Sequence, residues 1–573
     1  MHLEDSVPIR RTTTKPWCLV IVAVSATLGL GLIADQSIKL SSTYDEVTYL
    51  QVATHWWRTG EQAEISRMGS PLSSWKIQQA PTLWLLDRLG FGAWIDDPTG
   101  NQEKLLPVIR IGESWIWLVA FLVTVLWARR LYGDRSMAMA AVLFTISPNL
   151  LAHGALSTME LPLIACTGAM FALFWSFLEN GKRRDFWATA AIGGLSMSCK
   201  FTTVLIPPIL GLLWAIDLAI KPVEAESPGR VWRWFGILRT VGLGMVPFLA
   251  VMVASNLVVT GFSTIPLSAR QGSHPMIEEK VPPRFEKFAN DVFATSFPQD
   301  WVGFGNQLVF QINGGPSYLF GERRMTGWRH YYPVSMAVKV PLAFWILFVG
   351  KLLMKRCEFR ASREWVLPVI LIAFLLIAMM GSKRNYGFRY LLPMASPAIV
   401  WVSSLAEGGR RSRILAMIGL AGMGLALAAS HPHELSYFNE LAGGPIGGRK
   451  ILSDSNLDWG QGAKSLARLQ RKQPEFRDLT LFYFGMIDPA HFGVEGCRLL
   501  YEATKIPEGL PEKLSVETKY LAVSATLQWG PVAPAGYFEI LDTITPVAYT
   551  DDATIAIYRT EDLRKAQAAA SKP

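Results

Sequence analysis

Cysteine is scarce in this chain. Its 573 residues include five: Cys18, Cys166, Cys199 and Cys357 in membrane or cytoplasmic stretches, and Cys497 in a polar tail. Neither a disulfide framework nor a zinc-ligand spacing can be drawn from them. Charge is scarce too, at 18% of residues against 50% hydrophobic, which marks a polytopic membrane protein. No internal repeat is evident, which weighs against carriers built from repeats. The formal charge of +9 is largely accounted for by short basic loops, so it speaks for membrane orientation and not for nucleic acid.

What is abundant is apolar sequence in long runs. Segments of roughly 17 to 24 residues, enough to cross about 30 Å of hydrocarbon as helices, begin near Trp17, Ile111, Ser136, Leu161, Ile237, Val334, Trp365, Leu391 and Ile414. Phe186 to Ile220 is too long for one span, and Lys200 in its middle with Pro207 and Pro208 beyond predicts two short spans turning near Lys200. That makes about eleven crossings. Basic residues cluster at Arg10, Arg11 and Lys15, at Arg129, Arg130 and Arg135, at Lys182, Arg183 and Arg184, and around Arg230, Arg233 and Arg239. They recur at Lys355, Arg356, Arg360 and Arg363, and at Arg410, Arg411 and Arg413. Every second connection is therefore basic, which predicts a cytoplasmic N-terminus and an external C-terminus. The first span has the basic flank of a signal peptide but no small-residue cleavage site before Asp35, so it is read as retained. The external side then receives residues of about 36–106, about 260–333, a short loop 381–390 and the tail from 431 to 573.

The first external loop opens with "STYDEVTYLQVATHWW", where Asp45 and Glu46 sit side by side at a helix start. Val47, Leu50, Ala53 and Trp57 fall along one side of that helix and predict an element lying flat at the membrane surface. Thr43 to Glu46 has the pattern of a capping box, and acids suit a helix N-terminus. Capping needs one acid, which leaves Asp45 unexplained. A carboxylate beside a membrane is also placed to act as general base toward a lipid-borne substrate.

Cations stand where orientation statistics disfavour them. Lys383, Arg384 and Arg389 fill the short external loop "KRNYGFRYLLP", Lys339 lies about two turns inside the span of "YYPVSMAVKVPLAF", and Lys200 marks the turn between two spans. Lys339 and Lys200 can snorkel to the interface; as a group, cations near the outer face suit a phosphate or pyrophosphate headgroup.

Taken together, the "DE" after span one, "HGALSTME", "SCKFTTVLIPP", "YYPVSMAVKVPLAF", "RNYGFRYLLP" and "SYFNELAGGPIGGRKILSDSNLDWGQ" resemble integral-membrane glycosyltransferases of the GT-C fold. They are most similar to bacterial relatives of protein O-mannosyltransferases. The resemblance implies transfer of a sugar from a polyprenyl-phosphate donor to a glycan, lipid or protein acceptor at the outer face of the inner membrane, with inversion expected by analogy. It places the catalytic base at Asp45 with Glu46 beside it, and a donor phosphate among Lys200, Lys339, Lys383, Arg384 and Arg389. Glu160 corresponds to an external acid that is usually Asp in relatives, and with Tyr331 and Tyr332 is expected to bind substrate. Some members bind a divalent metal at acidic loop residues, a role open to Asp45 with Glu160 that the sequence does not decide. The family's Pro-Pro loop reads "QQAPTLW" here, with Pro81 alone, and the β-trefoil repeats of eukaryotic members are absent.

From His431 the chain alternates strand-like "RKILSDSN", helical "WGQGAKSLARLQRK", and strand-like "LTLFYFG", "KYLAVSAT" and "ATIAIYRT". This predicts a small external α/β domain over 431–573, following a transmembrane domain over 1–430. Asp454, Asn456, Asp458 and Trp459 stand at a strand end and helix start, which serves a helix cap or sugar recognition equally. The loop of about 260–333 brings Glu322, Arg323, Arg324, Trp328, Arg329 and His330, either to anchor the next span or to close over a lipid-linked sugar. A flippase of lipid-linked glycans, the rival reading, shares the need for external cations but has little use for a folded tail; an envelope scaffold leaves the acids and cations without purpose.

Overall fold

In the computed structural model the described residues are 14–61, 73–221, 230–266, 284, 287, 291, 294–354, 363–381, 383–501 and 514–570. Arg10, Arg11, Lys355, Arg356, Cys357 and Arg360 lie outside them. The chain starts with α1 (Pro16–Lys39), then five helices around the first loop: α2 (Tyr44–Thr59), α3 (Ser73–Gln78), α4 (Ala80–Arg88), α5 (Gly92–Asp96) and the long α6 (Gln102–Tyr132). α7 (Asp134–Thr145) and α8 (Pro148–Gly154) form one apolar unit bent by 63°, broken where Pro148 opens the second piece. α9 (Glu160–Asn180) and α10 (Arg183–Met197) lead to the Lys200 turn. A 3₁₀ segment follows, and α11 (Ile206–Ile220) starts with Pro207 and Pro208, where their missing N–H groups cost nothing. Two helices therefore meet at a turn near Lys200, where two short spans are expected.

α12 (Arg230–Val259) packs tightly on α10: a Cβ at Gly194 would fall 2.3 Å from the Met252 carbonyl. Next come α13 (Gln299–Asn313), α14 (Tyr331–Lys339), α15 (Leu342–Leu353), α16 (Val366–Gly381), α17 (Ala395–Ser403) and α18 (Arg410–Ser430). α14 and α15 bend by 107° at Val340-Pro341, since proline clashes with a continuing helix. Among the described residues six helices are long and apolar enough to cross a membrane, or up to eight if each bent pair is one span. The protein is a multi-pass helical membrane protein. The remaining expected spans are helical but short: 15 residues in α10, 16 in α16 and 9 in α17.

The tail carries a five-stranded mixed sheet. β1 (Leu479–Phe482) lies parallel to β2 (Cys497–Tyr501) and β3 (Tyr520–Ser524), and β5 (Ile555–Arg559) runs antiparallel between β3 and β4 (Ala548–Tyr549). α19 (Ala463–Lys472) packs beneath it through Ala463 and Leu466. The expected strand in "RKILSDSN" is not one: its polar groups are spent in turns and a 3₁₀ segment at Asp454–Asn456. Nor does α2 lie on the membrane. Its apolar side is covered by protein, Val47 within the core of the tail sheet and Leu50 against Leu83, Leu86 and Ile109.

Candidate active site

The acid-pair stretch and the "SDSNLDWGQ" stretch meet. Tyr44 N–H donates to the Trp459 carbonyl at 2.7 Å, the Ser41 hydroxyl donates to the Gln461 carbonyl at 2.6 Å, and the Tyr44 ring stacks on Phe484 at 5.4 Å. Two sequences more than four hundred residues apart thus build one wall.

At that wall the two acids part. Glu46 is wholly buried, and its carboxylate takes Arg110 at 2.6 and 2.8 Å, the Thr43 N–H at 2.9 Å and hydroxyl at 2.8 Å, and the Ser157 N–H at 2.8 Å. Burial opposes its ionisation, but Arg110 and these donors outweigh burial and hold the carboxyl below the usual range. With both oxygens engaged and no accessible side-chain surface, Glu46 does not reach a substrate. It cements α2 to α6 and to the loop before α9. Asp45, one residue earlier and on another face, keeps 26% of its side chain accessible. It meets Arg389 at 3.1 Å and the Tyr49 hydroxyl at 3.4 Å.

Arg389 is the hub. Besides Asp45 it lies 3.5 Å from Glu160, donates to the Tyr386 carbonyl at 3.2 Å and stacks its guanidinium on Trp459 at 4.3 Å. Glu160 accepts from Lys200 at 2.5 Å, and Lys200 stands over the Tyr390 ring at 4.4 Å. Of the expected residues, Asp45, Glu160, Lys200, Arg389 and Trp459 therefore form one contact chain. Asp454 adjoins it in a left-handed conformation at φ 57°, uncommon outside glycine and a form of strain that clusters at functional sites. Its carboxyl is pushed up to about 6 by burial, with Arg389 opposing and Asp45 adding.

The other expected residues serve elsewhere. Lys339 donates to the carbonyls of Leu435 at 3.0 Å and Asn456 at 2.6 Å, so it ties the broken α14–α15 unit to the tail. Lys383 donates to the Ile312 carbonyl at 3.1 Å, and Arg384 stacks on Tyr386 at 4.5 Å and Phe310 at 5.2 Å; both lean on α13. Asn456 bonds the Tyr331 hydroxyl at 3.0 Å, and Tyr332 packs edge-on against Tyr331. Asp458 accepts N–H groups of Thr526 at 3.0 Å and Gly460 at 3.1 Å, and burial raises it to about 7. In the long loop a hairpin of Ser317–Leu319 and Glu322–Arg324 docks on the tail through Tyr318 to the Lys450 carbonyl at 3.1 Å and Arg323 to the Ala533 carbonyl at 2.9 Å.

Sequence reasoning missed Arg110, Glu113 and Ser157. Ser157 donates to Glu113 at 2.7 Å and accepts from Gln79 at 2.8 Å. Arg110 and Glu113, three apart inside an apolar run, were the available signal, because charges in a span need partners.

Beside this centre lies a cavity of about 290 Å³ with an almost wholly apolar lining. It lies at the α14–α15 break, lined by Phe344, Trp345, Leu371, Leu375, Leu392 and Ala398, and also by Asn149, Val340 and Phe388. The expected metal pair does not fit a metal. The guanidinium of Arg389 stands between Asp45 and Glu160, and among the described residues no cluster of three or more metal-type ligands exists.

A multi-pass helical membrane protein with a carboxylate–guanidinium centre beside an apolar cavity is the class that fold and site define. Residues 103–238 match the family described as dolichyl-phosphate-mannose-protein mannosyltransferase, a stretch that contains both "HGALSTME" and "SCKFTTVLIPP". The resemblance to membrane mannosyltransferases read from the motifs is found there. No curated protein matches the chain. Among solved structures it is similar to ArnT from Cupriavidus metallidurans bound to undecaprenyl phosphate, at 13% identity and TM-score 0.45 over 95% of this chain and 97% of that one. It is also similar to the Archaeoglobus fulgidus oligosaccharyltransferase in complex with zinc and sulfate, at 13% identity and TM-score 0.38 over 89% of this chain and 68% of that one.

Proposed function

We propose that the protein is a GT-C-type glycosyltransferase that moves a sugar from a polyprenyl-phosphate donor to an acceptor hydroxyl at the outer face of the inner membrane. The carrying observation is the contact of Asp45 and Glu160 with Arg389, immediately after Phe388 in the cavity wall. The apolar lining takes up part of a prenyl chain from the bilayer without exposing a polar group to it, and the phosphate then lies against the cationic hub.

Asp45 is the base. It takes the proton of the acceptor hydroxyl as that oxygen attacks the anomeric carbon; the bond from that carbon to the phosphate oxygen breaks, and its electron pair stays on the phosphate. Attack from the face opposite the leaving group inverts the carbon. Arg389 stabilises the growing phosphate charge, which is worth most where water is excluded. Glu160 holds Lys200 and Arg389 in place, and Glu46 holds α2. Trp459 under the Arg389 guanidinium and Asp454 beside it frame the acceptor side. In the membrane we assign about eleven crossings, a cytoplasmic N-terminus, a transmembrane domain over 1–430 and an external α/β domain over 431–573.

The test is to incubate the purified protein with a panel of labelled polyprenyl-phosphate sugars and to follow the label. Label leaving the lipid, by transfer or hydrolysis, is expected; label remaining on intact lipid with every sugar overturns the reading. Reporters fused after Arg184 and Arg413 are expected to read cytoplasm, and one after Asp458 the exterior.

A further inference from the structure

Three chain segments carry a residue of the apolar cavity wall and a polar residue close behind it. Phe388 lines the cavity and precedes Arg389; Val340 lines it and follows Lys339. Asn149 lines it four residues before His153 on α8. Residues four apart share a helix face and lie about 6 Å from one another, so His153 stands one turn along α8 from the wall.

The three polar residues differ in what they hold. Arg389 is taken by Asp45, Glu160 and the Tyr386 carbonyl, and Lys339 by two backbone carbonyls. His153 is 4% exposed and its Nδ1 has no hydrogen-bond partner. Buried polar atoms without partners are rare and costly, and each calls for an explanation. The charges acting on this imidazole are those of Glu160, Arg389, Lys200 and Lys339, the centre itself. Its position is also fixed. A Cβ on the adjacent Gly154 would fall 2.8 Å from Trp117 and 3.1 Å from Ile33, so the end of α8 is pressed onto α1 and α6.

We propose that His153 binds the phosphate of the lipid donor, an imidazole N–H donating to a phosphate oxygen. This rests on the donor reading given above. With the prenyl chain in the cavity and the anomeric carbon near Asp45, the phosphate lies between them, and α8 reaches that cavity through Asn149. The two cations of the centre are already opposed by two carboxylates, Lys200 by Glu160 and Arg389 by Asp45 and Glu160. A further donor that brings no carboxylate of its own is what a phosphate gaining charge requires, and a hydrogen bond that strengthens as that charge grows favours the transition state over the bound donor.

The experiment compares the full-length wild type with His153→Leu and His153→Gln, measuring binding of a polyprenyl phosphate and of the polyprenol of equal chain length. Melting temperature and transfer kinetics accompany each. His153→Leu is expected to weaken polyprenyl-phosphate binding about tenfold, the loss of one hydrogen bond to a charged group, with turnover falling further and polyprenol binding unchanged. His153→Gln, which keeps an N–H donor, is expected to recover most of the loss. Unchanged phosphate binding and turnover in His153→Leu overturns the proposal. So does an equal fall for phosphate and alcohol, which makes His153 a cavity wall, or a Gln variant no better than Leu. A wild type that transfers nothing and binds phosphate and alcohol alike defeats the donor reading itself, and the proposal with it.

Discussion

The guanidinium of Arg389 and the carboxylate of Asp45 meet at 3.1 Å although 344 residues separate them. The same guanidinium reaches Glu160 and stands over the Trp459 ring. A fork held on three sides presents its remaining donors in a fixed direction, which is how arginine recognises phosphate.

Replacing Asp45 by Asn keeps the shape but not the proton acceptor. Transfer is expected to fall about a hundredfold to ten-thousandfold, while the melting temperature in detergent stays near wild type because Asp45 is partly exposed. Loss of stability in proportion to activity would make Asp45 a structural residue.

Glu46 behaves differently. Its ion pair with Arg110 has no exposed side-chain surface, so Glu46→Gln leaves a guanidinium buried without its counter-charge, at a cost of about 3–5 kcal/mol. That exceeds the roughly 1 kcal/mol of a lost cap. Unfolding of Glu46→Gln, Arg110→Met and the double variant is expected to show the double variant less damaged than the sum of the two.

Asp454 sets a pH dependence. Burial lifts its carboxyl from 3.8 to about 6, so the folded state keeps a proton that the unfolded chain gives up near 3.8. Stability from this group is complete below the unfolded value, declines as pH rises to about 6 and is level above. In the site, a negative charge appears beside Asp45 above pH 6 and repels the donor phosphate. The donor KM is expected to rise between pH 5 and 7.5 in wild type, and to lose that step in Asp454→Asn.

The cavity yields a chain-length prediction. Ala398→Trp places an indole in the apolar space and is expected to raise KM for a long-chain donor while sparing a short-chain analogue. Equal losses for both chains would move the lipid site elsewhere.

The helices were legible because apolar runs and prolines act locally: Pro207 and Pro208 announce the start of α11, and the Thr43–Glu46 pattern announces α2. The fate of Glu46 was not, since Arg110 is hidden within an apolar run and the pairing depends on how α6 rotates against α2. Lys339 looked like a phosphate ligand because sequence shows a charge in a span but not the Leu435 and Asn456 carbonyls that receive it. Likewise the apolar side of α2 suits a bilayer or a protein surface equally, and only the tail sheet packed on Val47 decides. His153 opens the "HGALSTME" motif but gave no sign of a phosphate role, because a lone histidine in a helix is ordinary until its unpaired nitrogen is seen.

The contact between Ser41 and the Gln461 carbonyl spans 420 residues. At ribosomal speeds of about 5–20 residues per second, some 20 to 80 seconds pass between the emergence of its two halves. For most of that interval the nascent chain carries Asp45 with neither Arg389 nor Trp459 yet made. On the proposed function a half-made chain already lodged in the lipid is expected to be inert, and to become competent only when its last third has been delivered and docked.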